Sequence, residues 1–360
     1  MTAPPSIPRA AGPPLLATAA FVVILAGMQM ASTIILLVLL SVLVTIVVAP
    51  IASAIRRRGY PSWLGLSAAL GSYVLALAVV GLITAVGVAR LIRQLPEDTS
   101  DLQAALEGFA DSDVARSIAS AAASVAGSVA QGVLSGLGAV GYSVIIVAYL
   151  LLEAPRAPDR VLWAFNGNAE ILERAVALAV RLRAYVVARA VLGGIAAVLD
   201  VIVLLLLGIP SALLWGVLAF LMNFVPNVGF LISMIPPAVL AFLVGGLPTA
   251  VAVIVAYVAI NLATDYLIQP RFIGSAVDLS PVVVTISLLF WVVILGGAGA
   301  IFAVPLTIIV AAVANAHEST RGVSRMLVAE VPASVDAAAI VAAVSGAGPE
   351  NPADRLGPEG

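Results

Sequence analysis

Residues 210–237 read PSALLWGVLAFLMNFVPNVGFLISMIPP, apolar enough to lie inside a lipid bilayer yet broken at the middle by Asn223, Pro226, Asn227 and Gly229. That combination narrows the folds open to the chain. Proline removes a backbone donor and disturbs the preceding helical turn. Lipid cannot satisfy the polar groups left over, so a break at membrane depth must be buried in protein or line a wet cavity. In membrane transport proteins such breaks are where solutes and ions bind.

The rest of the chain has the same character. Of 360 residues, 62% are hydrophobic and 10% charged, where soluble domains carry about 25% charged residues. The long Leu/Val-rich runs lack the alternation of an outer-membrane barrel, so helices are the expected spanning element. The fold class expected is all-α: a polytopic helical bundle of about 8 spans. The formal net charge of −2 gives no bias toward nucleic acid. Absence of Cys excludes disulfides, thiolate metal sites and cysteine nucleophiles. No metal site or cofactor is expected. All 17 basic residues are Arg, which reads as composition bias. The first hydrophobic run continues uncharged from Arg9 to Arg56, unlike a cleavable signal peptide.

Charge then sets the expected topology. Residues 1–14 read as a disordered tail. Residues 15–55 would make a helix about 60 Å long, twice the bilayer core, so two crossings with a turn near residues 27–33 are expected. Arg56, Arg57 and Arg58 mark the following loop as cytoplasmic, and with it the N-terminus. The N-terminal membrane region, 15–153, then holds four spans, with an acidic external helical segment at 94–125. Residues 154–189 carry Arg156, Arg160, Arg174, Arg181, Arg183 and Arg189 and read as a cytoplasmic amphipathic helix region. Residues 190–316 form the expected transport core. Residues 317–360, with Arg321 and Arg325 near their start, form a cytoplasmic tail.

Within that core the pattern occurs twice, in segments 190–245 and 249–314. In the first, a span leads to Pro210, an apolar run, the break at Asn227–Gly229, and Pro236. In the second, a span ending at Gln269, Pro270 and Arg271 leads to Pro281, an apolar run, the break at Gly296, Gly297, Ala298 and Gly299, and Pro305. The two copies start from opposite sides, as an inverted-topology repeat requires. Each hairpin either crosses twice or dips in and returns; short half-helices favour the re-entrant form.

The motifs PSALLWGVLAFLMNFVPNVGFLISMIPP and QPRFIGSAVDLSPVVVTISLLFWVVILGGAGAIFAVPL, with VVAPIASAIRRRGYPSWLGL and YLLLEAPR earlier, resemble the autoinducer-2 exporter family of bacterial transporters. The resemblance covers about residues 15–327. It implies a homo-oligomeric inner-membrane protein. Family activities include export of the quorum-sensing signal autoinducer-2 and sodium- or proton-linked antiport. Asp200 departs from the usual pattern, because that span is more often uncharged.

Asn261, Asp265 and Gln269 are four apart and would share one helix face. An Asp at the bilayer centre costs about 2.5–3.5 kcal/mol on insertion scales, so a cation, proton or buried partner must offset it. An ion or solute stripe is one reading; interhelical hydrogen bonding, or pairing with Arg271, is the other. Asp200 reads either as a protonatable site or as an Asp bonded to a neighbouring backbone group or Ser. Asn223 and Asn227 read either as ligands for a hydroxylated solute or ion, or as caps for the broken backbone. Residues 136–141, GLGAVG, fit the dinucleotide pattern formally but lie mid-span, where small residues serve helix packing. His317 suits a helix C-terminus. Trp215 and Trp291 are either interface anchors or core residues.

These features fit a secondary transporter of small polar solutes in a lipid bilayer, with sodium ion or proton as coupling partner. A channel or facilitator, and a sodium/proton antiporter, share the same features. No GxxxxGK[ST] loop marks an ATPase, and no HExxH or Cys supports an intramembrane enzyme. A scaffold role would not need a polar stripe at membrane depth.

Overall fold

The computed structural model describes residues 12–94, 141–269 and 279–316. The expected external segment beyond Gln94, the GLGAVG motif apart from Gly141, Pro270, Arg271, His317 and the C-terminal tail lie outside the described residues. Every secondary-structure element among the described residues is helical.

Helix α1 (Gly12–Met30) begins inside the segment expected to be a tail, with Pro13 and Pro14 in its first turn, where a missing N–H costs nothing. Helix α2 (Ser32–Arg57) follows after Ala31 alone. Ala31 N–H bonds to Gly27 O and Ile35 N–H to Ala31 O, each at 3.0 Å. The helical ladder therefore runs through the junction, and α1 and α2 do not fold back into the expected double crossing. The uncharged stretch has Gly27 but no Pro or polar turn cluster there, so nothing in it forces a reversal. The charge argument for a cytoplasmic N-terminus loses its basis with that hairpin.

A tight turn at Gly59 (φ 83°) leads to α3 (Ser62–Gln94). Residues 141–153 form α4, and α5 is Ala157–Ala164. Val48 and Ala52 near the end of α2 share a buried cluster with Ala69 and Tyr73 of α3 and with Val147 and Leu151 near the end of α4. Tyr73 and Ser143 hydroxyls bond at 2.8 Å within it. Arg56–Arg58 and Arg156–Arg160 consequently sit at one end of the bundle.

Helix α6 (Ala169–Leu206) is a single element of 38 residues, N-capped by the Asn168 side chain accepting from Glu170 N–H. The amphipathic region expected to end at 189 is continuous with the span that follows. At about 57 Å it is nearly twice the hydrocarbon thickness, so its Arg-rich first half extends past the membrane. The first hairpin is α7 (Ala212–Met222) followed by α8 (Gly229–Ala263). Gly246, at φ 72° and ψ −171°, kinks α8 just before Pro248 and divides it into an outgoing and a returning limb. The second hairpin is α9 (Pro281–Leu295) and α10 (Gly297–Ala316), joined at Gly296 with φ 73°.

Five helical stretches among the described residues are long and apolar enough to cross a membrane: Ser32–Arg57, Ser62–Arg90, Ala169–Leu206, Gly229–Ile268 and Gly297–Asn315. Thr18–Met30, Ala212–Met222 and Pro281–Leu295 are apolar but shorter. The protein is a multi-pass helical membrane protein. Helix α7, with 11 residues, is about 16 Å long, half a bilayer core.

The hairpins close through glycine. A Cβ on Gly229 would lie 1.8 Å from Met222 O, and one on Gly299 2.2 Å from Trp291 O. Trp215 and Trp291 are both buried core residues whose indole N–H groups are satisfied: Trp215 Nε1 donates to Pro210 O at 3.2 Å, and Trp291 Nε1 to Thr307 Oγ1 at 3.1 Å. Gly229→Ala is expected to lower the Tm of the purified protein by several degrees, an overpacking cost of about 1–3 kcal/mol. Gly71→Ala on α3, where a Cβ meets nothing within 4 Å, is expected to leave it unchanged. Equal Tm values for the two variants in a fluorescence melt would contradict this account of hairpin closure.

Candidate functional site

Most backbone N–H groups of the break between α7 and α8 find partners within it or in the last turn of α7. Asn223 N–H bonds to Ala219 O, Val225 N–H to Met222 O, Val228 N–H to Pro226 O and Gly229 N–H to Val225 O, at 2.7–3.2 Å. Asn227 takes the left-handed conformation, φ 63°, which Asn tolerates better than most residues. Neither Asn side chain caps the break. Asn227 Nδ2 donates instead to Thr285 Oγ1 of α9 at 3.4 Å, so the first break touches the second hairpin. Val225 packs in the same buried cluster as Leu288, Trp291 and Leu295.

Beside the break lies a cavity of about 210 Å³. Helix α6 supplies Arg189, Ala196 and Asp200; α7 and the break supply Ala219, Asn223, Val225, Pro226 and Asn227. The outgoing limb of α8 supplies Phe230 and Ser233, and the returning limb with its extension supplies Asn261, Leu262, Asp265 and Tyr266. Gly193 makes this packing possible: a Cβ there would lie 2.8 Å from Asn223 Nδ2. Asn261 Nδ2 donates to Tyr257 O at 2.9 Å, which leaves its Oδ1 free to accept.

Six of the sequence candidates, Asp200, Asn223, Pro226, Asn227, Asn261 and Asp265, therefore meet around one space. Gly229 supports the break from outside the lining. Gln269 is not in the lining, although four-residue spacing puts it in line with Asp265. The cause is a π-helical turn at Thr264–Ile268, whose i→i+5 bonding widens the helix and moves later residues off the stripe. Two corresponding breaks would be expected to meet at one site near Asp265, and in the structure they do not. Gly296, Gly297, Gly299 and Pro305 do not line it; Pro305 borders a separate, almost wholly apolar groove between α2, α3, α7 and α10.

Arg189 is the residue that sequence reasoning passed over as a site candidate. It counted as one of a cytoplasmic basic run, yet its helix carries it into the cavity wall. Its Nε is buried without a hydrogen-bond partner among the described residues, and its guanidinium carbon lies 5.9 Å from the Tyr185 ring centroid. The ion pairs among the described residues, Arg156–Glu153, Arg160–Glu153 and Arg174–Glu170, do not include it. The spacing Arg189, Gly193, Ala196, Asp200 at one helical face was the available signal.

Asp200 is 1% exposed and its Oδ1 has no hydrogen-bond partner among the described residues. The expectation that a neighbouring Ser or backbone group bonds it is not met at that oxygen: Ser233 Oγ donates to Phe230 O at 2.9 Å instead. Two carboxylates, one guanidinium and several amides in a small partly enclosed space suit binding of a small hydroxylated or charged solute. Among the described residues no group of three or more His, Cys, Asp or Glu side chains is placed to hold a metal ion.

The profile of the AI-2E family transporters matches residues 18–319. The chain belongs to the AI-2E transporter family. Its relatives include a Haemophilus influenzae protein named "Putative transport protein", 29% identical over 311 residues, covering 81% of this chain and 89% of that one. The Escherichia coli K12 protein named AI-2 transport protein TqsA is 26% identical over 304 residues, covering 80% and 88%. Transport protein YhhT of the same organism, also named as putative, is 27% identical over 306 residues, covering 81% and 87%. This AI-2E family member is a membrane transport protein, not an enzyme. Gly193→Ala is expected to push the Asn223 amide aside and lower flux of a transported solute at least about tenfold, a loss of about 1.4 kcal/mol in rate terms. Gly194→Ala, where a Cβ meets nothing within 4 Å, is expected to match wild type in the same vesicle assay.

Proposed function

We propose that this chain is a secondary transporter that exports small polar solutes through the cavity between α6 and the Asn223–Gly229 break. The observation carrying this reading is the convergence of Asp200, Asn223, Asn227, Asn261 and Asp265, from three separate stretches of sequence, on one space. Polar groups at membrane depth are costly and mark solute or ion pathways. A cavity of this size suits a compact polyhydroxylated molecule. TqsA is named for AI-2 transport, which makes an autoinducer-2-like signal the first solute to test.

Coupling to sodium or protons follows from the charges. Asp200 and Asp265 against Arg189 leave the cavity one unit short of neutrality when both carboxylates are ionised, and one monovalent cation or proton supplies it. The two hairpins form an inverted repeat in this reading. Each has a short apolar helix, a left-handed residue at the break (Asn227, Gly296), a glycine against a carbonyl and a satisfied Trp. The 11 residues of α7 favour a re-entrant first hairpin, whereas α10 is long enough to span. Placement in the bacterial inner membrane with the two Arg-rich turns cytoplasmic agrees with their position at one end of the bundle. The C-terminus, with Arg321 and Arg325, is assigned to the same side. Large exposed apolar residues such as Leu75, Leu82, Val282 and Val293 suit lipid or further copies in a homo-oligomer.

In proteoliposomes, autoinducer-2 and small polyols are expected to accumulate against their gradients when a sodium or proton gradient is imposed. Asp265→Asn is expected to abolish that flux while leaving folding and oligomeric state intact. Normal flux in the variant removes Asp265 from the site; downhill movement alone, indifferent to both gradients, favours a passive facilitator.

A further inference from the structure

The two carboxylates of the cavity occupy different ends. Along α6, Arg189 and Asp200 are 11 residues, about 16 Å, apart. Helix α6 and the returning limb of α8 run in opposite directions. Tyr257 lies in the electrostatic field of Asp200, and Asp265 in that of Arg189. From Tyr257 to Asp265 is about 12 Å along the helix. Arg189 and Asp265 therefore form the end nearer the Arg-rich side, and Asp200, with Tyr257 beside it, forms the far end. Among the described residues no basic side chain lines that far end to offset Asp200.

A carboxylate 99% buried with a free oxygen needs a partner of its own. The side chains around it offer oxygen lone pairs as ligands. Ser233, 2% exposed, has already committed its hydroxyl hydrogen to Phe230 O and retains lone pairs. Asn261 has committed an amide hydrogen to Tyr257 O and keeps Oδ1. The Tyr257 hydroxyl is fully buried and likewise without a partner. Oxygen lone pairs around one carboxylate are a hard-cation environment. A single carboxylate balances one positive charge; a divalent ion would leave an excess charge in a low-dielectric site.

We propose that the Asp200 end of the cavity is a binding site for a monovalent alkali cation, held by Asp200 with oxygen ligands from Ser233 and Asn261. It rests on the transport reading only for its use, as the coupling ion's seat, and not for its existence. A cation bound there completes the charge balance of the cavity and leaves the Arg189–Asp265 end to the solute.

The test uses the full chain in detergent or lipid nanodiscs without any solute. Tm is measured at pH 8 in increasing NaCl against choline chloride at equal ionic strength. Wild type is expected to show a saturable, sodium-specific rise of at least about 2 °C, because a ligand that binds only the folded state stabilises it. Asp200→Asn is expected to lose the rise. Ser233→Ala is expected to keep it with half-saturation shifted about fivefold or more upward, about 1 kcal/mol of binding. If Asp200→Asn fails to fold, the Ser233→Ala titration decides: an unchanged half-saturation overturns the site. No sodium-specific rise in wild type, or an equal rise in Asp200→Asn, also overturns it. So does a rise reproduced by acidification alone with no further effect of sodium, which assigns Asp200 a proton instead. An equal rise in CaCl2 overturns the monovalent assignment. Failure here leaves the solute reading standing, and absence of solute flux in a protein that shows the sodium rise removes that reading but not the cation site.

Discussion

Six residues of backbone, Asn223–Val228, sit between two helices at membrane depth and must satisfy their polar groups outside the regular ladder of either. They do so through short-range turns, with Asn227 in a left-handed conformation and Gly229 pressed onto Met222 O. That closure leaves the Asn223 side chain free of capping duty. It can then lie against Gly193 of α6 and face the cavity. The polar space exists because the break is solved locally by backbone and glycine, not by its own polar side chains.

From this the rest of the architecture follows. The hairpin tip reaches α9 through Asn227 and Thr285 and the second core through Val225. The base of the hairpin is fixed at the other end, where Ser211 Oγ donates to Gly87 O of α3 at 3.2 Å. Helix α6 runs past both ends and presents Arg189 and Asp200 on the face that Gly193 opens. Separate buried clusters around Trp215 and Trp291 hold the two hairpins, so the cavity lies beside rigid packing and not within it.

Much of this was legible in the chain. Pro226 with two Asn in an apolar run announced the break, and charge scarcity made Asp200 and Asp265 conspicuous. What was not legible depended on helix geometry. The π turn at Thr264–Ile268 displaces Gln269, and a pattern that assumes 3.6 residues per turn cannot anticipate it. The continuous ladder through Ala31 overturns a hairpin inferred from length alone. Arg189 was hidden by its company: an Arg among surface Arg residues carries no mark of facing inward until the neighbouring helices are placed.

The absence of native Cys allows a direct test that the space beside the break is water-filled and solute-accessible. Single cysteines replace Ala196 or Ala219, which line the cavity, and Ala241 or Ala303, which are fully buried in the hydrophobic cores. Each variant is treated in vesicles with a small charged methanethiosulfonate. The account predicts rapid modification at 196 and 219, slowed by a transported solute, and none at 241 or 303. Unreactive thiols at 196 and 219, or equal reactivity at all four positions, would contradict it.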